Sequence, residues 1–158
     1  MSGFRRGTRL GIDVGKARVG VSRCDPDGML AVPVETVPRS ETSIDRIAEL
    51  VIEWEPIELI VGLPVNMRGE ETLSTTDARE FAAALCARTR VPVRLVDERL
   101  STVSAHAALR SSGRSQKKSR SIVDQVAAVV FLQHAIDTEK STGRPAGELI
   151  EPNEELPA

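Results

Sequence analysis

From Thr8 to Val14 apolar residues alternate with small or polar ones, Leu10, Ile12 and Val14 on one side and Gly11 and Asp13 on the other. That two-residue period is a strand's. Gly15 to Arg18 then reads as a tight turn into a second strand carrying Val19 and Val21, and the Asp25–Gly28 turn signal leads to a third over Met29 to Val37. Here the period changes. Ile44, Ile47, Ala48, Val51 and Trp54 recur at helical spacing behind an N-cap signal in Thr42–Asp45. Glu58 to Leu63 (ELIVGL), ended by Pro64, is the short apolar run of a strand buried on both faces. Ser74–Asp77 is expected to cap a second helix with an apolar face of Phe81, Ala84, Leu85 and the stem of Arg88. Val91 to Val96 gives a fifth strand. A third helix is expected from Ser101 or Thr102 through Leu109, and a fourth from Ser121 to Asp137.

The order β β β α β α β α α predicts an α/β fold, a mixed five-stranded sheet with its first three strands antiparallel and helices on both faces. The chain of 158 residues fits one domain over 1–140, followed by a tail over 141–158. Beyond Arg144 there is no Lys or Arg, while Glu148, Glu151, Glu154 and Glu155 fall among Pro145, Pro152 and Pro157. Such a segment is expected to be a solvated, disordered tail.

Composition then narrows the function. The hydrophobic and charged shares, 41% and 28%, are those of a globular protein. No run approaches the ~18 apolar residues of a membrane span, and the start lacks a signal peptide's apolar block, so a cytoplasmic location with no membrane partner is expected. Cys24 and Cys86 stand apart from each other and from His106 and His134, which fits packed, reduced thiols better than a disulfide or a zinc site. With no Tyr and only Phe4, Trp54, Phe81 and Phe131, the chain cannot build an aromatic stacking platform, so a nucleic-acid partner would be held through phosphates. The net charge of -2 conceals the means to do so. Without the four acids of the tail the body carries +2, and from Arg99 to Val123 six bases (Arg99, Arg110, Arg114, Lys117, Lys118, Arg120) occur with no acid.

Three carboxylates stand out. Asp13 lies inside an apolar strand on the glycine face, where an ionised group is costly unless paired or bound to a cation. Asp97 and Glu98 end the fifth strand, and alternation sends only one of them to a given face. Asp124 opens an apolar helix, where Ser121–Asp124 also matches a capping box and a purely structural role. Carboxylates suit Mg²⁺ or Mn²⁺, and one or two such ions support phosphodiester cleavage. Gly11 to Ala17 only mimics a nucleotide-binding loop: it has three residues between its glycines, and Ala17 stands where a hydroxyl should hold the metal.

Four segments, LGIDVGKARVGVS (10–22), IVGLPVNMRGEE (60–71), VRLVDERLST (93–102) and KKSRSIVDQVAAVVFLQ (117–133), together resemble the YqgF or RuvX family. That family is described as Holliday-junction-resolvase-like and as trimming the 5′ end of pre-16S rRNA. The resemblance spans Thr8 to Asp137 and implies an RNase H-like fold and a metal-dependent nuclease in ribosome biogenesis. It places the catalytic, metal-holding acids on Asp13, Glu98 and Asp124, with Asp97 as an alternative ligand. Asn66 and Arg68, in the loop after the fourth strand, either donate to a phosphate or form an ordinary polar turn. Arg99, Arg114, Lys117, Lys118 and Arg120 would neutralise substrate phosphates, rRNA precursor being favoured over DNA. A junction resolvase acting as a dimer and a catalytically silent RNA-binding assembly factor are the competing expectations, and both a monomer and a homodimer stay open.

Overall fold

The computed structural model describes residues 4–98 and 116–152, with the backbone alone over 116–124. The elements are β1 (Arg9–Val14), β2 (Arg18–Cys24), β3 (Ala31–Pro38), α1 (Ser43–Trp54), β4 (Glu58–Leu63), α2 (Leu73–Thr89), β5 (Val93–Asp97), α3 (Gln116–Thr142) and β6 (Glu148–Ile150). The strands form one mixed sheet in the order β3-β2-β1-β4-β5-β6. β1, β2 and β3 are antiparallel neighbours, β4 runs parallel to β1 and β5 parallel to β4, and β6 returns antiparallel to β5.

Five strands were expected and six are present. The sixth lies in the segment read as a solvated tail, and its Glu148, although exposed, reaches Arg79 of α2 at 3.2 Å. Gly147 turns the chain into it at φ +81, where a Cβ would collide with the Leu95 carbonyl. Helix α3 begins five residues before Ser121 and runs five beyond Asp137. The α2 face also differs from expectation: Ala78, Phe81, Ala82, Leu85 and Cys86 are buried, while Ala84 and Arg88 face solvent. The expected helix over 101–109 lies outside the described residues.

The strand periods divide the core in two. Leu10, Ile12, Val14, Leu59, Val61, Leu63, Val93 and Leu95 pack with α1 and α2, whereas Ile60, Val96 and Cys24 pack on the other face with Ala128, Phe131, Leu132, Ala135 and Ile136 of α3. Cys24 and Cys86 are free, buried thiols. Burial pushes the thiol pKa of both upward, which keeps them protonated and unreactive. The outer strand β3 carries Pro33 and Pro38 and a bulge opposite Val21 and Ser22.

Charge enters the core at one end. Arg9, 2% exposed, donates to Glu139 of α3 at 2.9 Å, and Arg5 bridges Glu139 and Glu58 at 2.8 and 3.0 Å. Arg94 reaches Glu58 from β5 at 3.1 Å. Burial alone would raise the Glu139 pKa, but hydrogen bonds from Arg5 and the charges of Arg9 and Arg5 hold it below the ordinary carboxylate range. A group depressed in this way stabilises the fold above its unfolded pKa and loses that contribution as pH falls through the folded value. Removing one partner of a buried pair costs about 3–5 kcal/mol. Urea unfolding of Glu139→Ala should show a loss of that order, and Glu139→Gln should flatten the acid side of the stability profile; an unchanged profile would remove Glu139 from the acid transition.

Candidate active site

Alternation along β1 puts Arg9, Gly11 and Asp13 on the face covered by α3. Arg9 meets Glu139 there. A Cβ on Gly11 would lie 2.8 Å from the carbonyl oxygen of Ala128 and 3.1 Å from Leu132 Cβ, so only glycine lets the helix this close. Ser22, opposite Gly11 on β2, donates its hydroxyl to the same Ala128 carbonyl at 2.9 Å. Asp13 is 9% exposed and sits opposite Gly20 of β2. On its other side, the register Ile12↔Val61 brings Gly62 of β4 alongside. Neither flanking glycine puts a side chain against Asp13, and the space so left over Gly62 is taken by the Glu98 carboxylate and the Phe131 ring.

The register of β5 separates the two acids at its end. Val96 packs under α3 and Asp97, opposite Leu63, is exposed on the other face. Glu98 therefore turns to the α3 face, its backbone N–H bonded to the Leu63 carbonyl at 3.3 Å. Its carboxylate lies over Gly62, where a Cβ would come within 2.6 Å of Oε2 and 2.7 Å of the Phe131 ring. Asp13 and Glu98 thus share one face, Asp13 near the carboxyl end of β1 and Glu98 just past β5, with β4 between the two parallel strands.

Asp124 is the ninth residue of α3. The capping-box alternative is overturned, because Ser121 lies inside the helix and Asp124 is not in its first turn. α3 runs antiparallel to β1, Glu139 at the Arg9 end and Ala128 at Gly11. The four helical residues back from Ala128 to Asp124 rise about 6 Å, and two strand residues on from Gly11 are about 6.6 Å. The Asp124 backbone therefore comes level with Asp13. Its side chain lies outside those described, as do the side chains of Lys117, Lys118 and Arg120 on the opening turns of α3. Arg99 and Arg114 lie outside the described residues altogether.

The donors gathered at Gly62 are carboxylate oxygens, which fits Mg²⁺ or Mn²⁺ better than zinc. His134 points to solvent, and both cysteines are buried elsewhere. Among the described residues no group of three His, Cys, Asp or Glu side chains is close enough to hold a metal ion. Two of the three proposed acids are within that set.

In the loop after β4, Asn66 Oδ1 accepts from the backbone N–H groups of Arg68 and Glu70, each at 2.9 Å, and its amide nitrogen reaches Glu70 at 3.1 Å. Asn66 shapes the loop, and Arg68 is exposed at its tip. Helix α2 starts one residue earlier than expected, at Leu73, with Thr72 as N-cap donating its N–H to Thr75 Oγ1. The strand glycine Gly62 and Ser22 did not stand out in the sequence reading. An isolated glycine inside an apolar strand run is the available signal for the first, and nothing local marks the second.

The sheet order, the two helical faces and acids at strand ends define an RNase H-like α/β fold. RuvC of Thermus thermophilus shares it, at 19% identity and a TM-score of 0.56 over 88% of this chain and 99% of RuvC in a structure with a Holliday junction substrate. A second RuvC structure from that organism gives a TM-score of 0.52. The family model described as RuvX, Holliday junction resolvase, matches residues 7–138, and this chain belongs to that family. A relative from Leifsonia xyli is 57% identical over 94% of this chain and 97% of its own length, and one from Streptomyces coelicolor is 51% identical over 94% and 90%. Both bear the name "Putative pre-16S rRNA nuclease". No helix among the described residues is long and apolar enough to cross a membrane.

Overpacking a tight contact costs about 1–3 kcal/mol. Gly62→Ala and Gly11→Ala should each lose that much in urea unfolding, the first by displacing Glu98 and Phe131 and the second by lifting α3; wild-type midpoints would show that the helix does not press on these glycines.

Proposed function

We propose that this chain is a divalent-metal-dependent nuclease that hydrolyses phosphodiester bonds in the 5′ region of pre-16S rRNA, in the cytoplasm. The observation that carries the reading is the placement of Asp13 and Glu98 on one face at the carboxyl ends of β1 and the chain just past β5, with the α3 backbone bringing Asp124 level. The names of the relatives supply the rRNA substrate. Mg²⁺ or Mn²⁺, one ion or two, lowers the pKa of the attacking water and offsets charge on the leaving oxygen when bound.

Asp13, Glu98 and Asp124 would hold the cation, each from a different element. Asp13 does so from a strand that cannot shift without breaking its ladders on both sides. Lys117, Lys118 and Arg120 lie on the turns of α3 before Asp124, where they would neutralise adjoining phosphates, with Arg99 and Arg114 adding to the same field. Aromatic stacking plays little part, so the substrate is read by backbone and shape.

Junction cleavage is the second reading, favoured by the family description and by the RuvC fold, and it requires a two-fold symmetric pair of subunits on a symmetric junction. Purified protein with Mn²⁺ or Mg²⁺ and a pre-16S fragment should cleave, and EDTA should abolish cleavage. Asp13→Asn and Glu98→Gln should each lower kcat by orders of magnitude with folded circular dichroism spectra, while Asp97→Asn should leave it within about twofold, since that side chain faces away. Full activity in Asp13→Asn would overturn the mechanism, and cutting of a four-way DNA junction by a dimer, with RNA left intact, would select the second reading. Lys117→Ala with Lys118→Ala should weaken binding and reduce the salt slope by about 1.4 for a single strand.

A further inference from the structure

Three residues beyond Asp13 the β1–β2 turn borders an open cavity of about 480 Å³, lined by Lys16, Arg39, Leu73, Ser74 and Asp77. It lies at the carboxyl-end rim of the sheet but on the α2 side, so the turn separates it from the acids. Its wall is fixed by one side chain. Arg39 donates to both Asp77 oxygens at 2.8 and 2.9 Å and to the Gly15 carbonyl at 2.9 Å, while its backbone N–H bonds Ala17. The guanidinium lies 4.8 Å from the centre of the Phe81 ring, which fixes its plane.

The wall has the chemistry of a nucleotide site. Arg39 and Asp77 offset each other, and Lys16, exposed at the turn, adds a positive charge. The Asp77 carboxyl is held below the ordinary range, first by hydrogen bonds from Arg39 and then by the charges of Arg39 and Lys16, against the opposing effect of burial. It stays an ionised acceptor, beside the Ser74 hydroxyl. A guanidinium backed by an aromatic ring offers a flat face on which an unstacked base can lie. Leu73, 90% exposed at the rim, supplies an apolar edge that water leaves readily.

Given the nuclease reading, on which this inference rests, we propose that the cavity holds one nucleotide of the RNA strand next to the cleavage site, its phosphate on Lys16 and its base against Arg39. A strand crossing the carboxyl ends of β1 and β4 meets the acids on one side of the turn and this cavity on the other. The subsite fixes which phosphate reaches Asp13, a task for which the chain has no aromatic platform.

Binding of a fluorescent single-stranded RNA of about ten nucleotides, measured in EDTA, tests this without cleavage. Lys16→Ala should weaken binding about tenfold and lower the salt slope by about 0.7, as for one lost phosphate contact. Lys16→Arg should restore both. Ser74→Trp, which fills the cavity without changing charge, should weaken binding to a similar extent at wild-type salt slope. Affinities within twofold of wild type in both Lys16→Ala and Ser74→Trp overturn the proposal. Because the assay needs no metal, weakened binding in a protein that never cuts RNA upholds the cavity and sinks the nuclease reading, whereas normal cleavage with unchanged binding sinks the cavity alone.

Discussion

The buried pair between Arg9 and Glu139 fixes how α3 lies along β1, and much else in the molecule follows from that. It joins the first strand to the last helix across 130 residues of sequence. Two charges taken out of water this completely cannot slide past one another by a residue without one being left unpaired. Arg5 and Arg94 extend the network to Glu58 on β4, so the helix is referred to three strands at once. The ion pairs sit at one end of β1 and the carboxylates at the other. A costly polar arrangement at the base of the sheet thereby controls the height of the acids at its top.

Between those ends the sheet is made thin. Gly11 and Gly62 bring the α3 backbone and the Phe131 ring onto the strands, and Ser22 ties the Ala128 carbonyl to β2. The same two positions could not carry side chains without moving the helix or the Glu98 carboxylate. Packing and the position of the acid are therefore coupled through the absence of atoms: the space denied to a side chain at Gly62 is the space that the Glu98 carboxylate and the Phe131 ring occupy.

Much of this was legible in the chain. The two-residue period of β1, the short apolar run of β4 and the helical period of α1 located those elements to within a residue or two, because each buries an apolar surface set by its own local sequence. Asp13 was visible as a charge inside such a strand. The choice between Asp97 and Glu98 was not, since it depends on the register between β4 and β5. Asp124 read equally well as a cap, because the polar residues from Gln116 to Ser121 hide a helix that is held by tertiary contacts further along. β6 was missed because three residues among glutamates and prolines have no period, and their pairing is set by Gly147 and the free edge of β5. The Arg39 clamp joins residues distant in sequence, which no local pattern reveals.

That short sixth strand has a wider consequence. By covering β5 it leaves the sheet with two outer borders, a three-residue strand on one side and β3, broken by prolines and a bulge, on the other. Neither presents a continuous row of backbone donors and acceptors, so the sheet resists growing by strand addition from another molecule. Among the described residues it is the helices and loops, where side chains and not backbone ladders decide whether two copies meet, that offer the larger continuous surfaces.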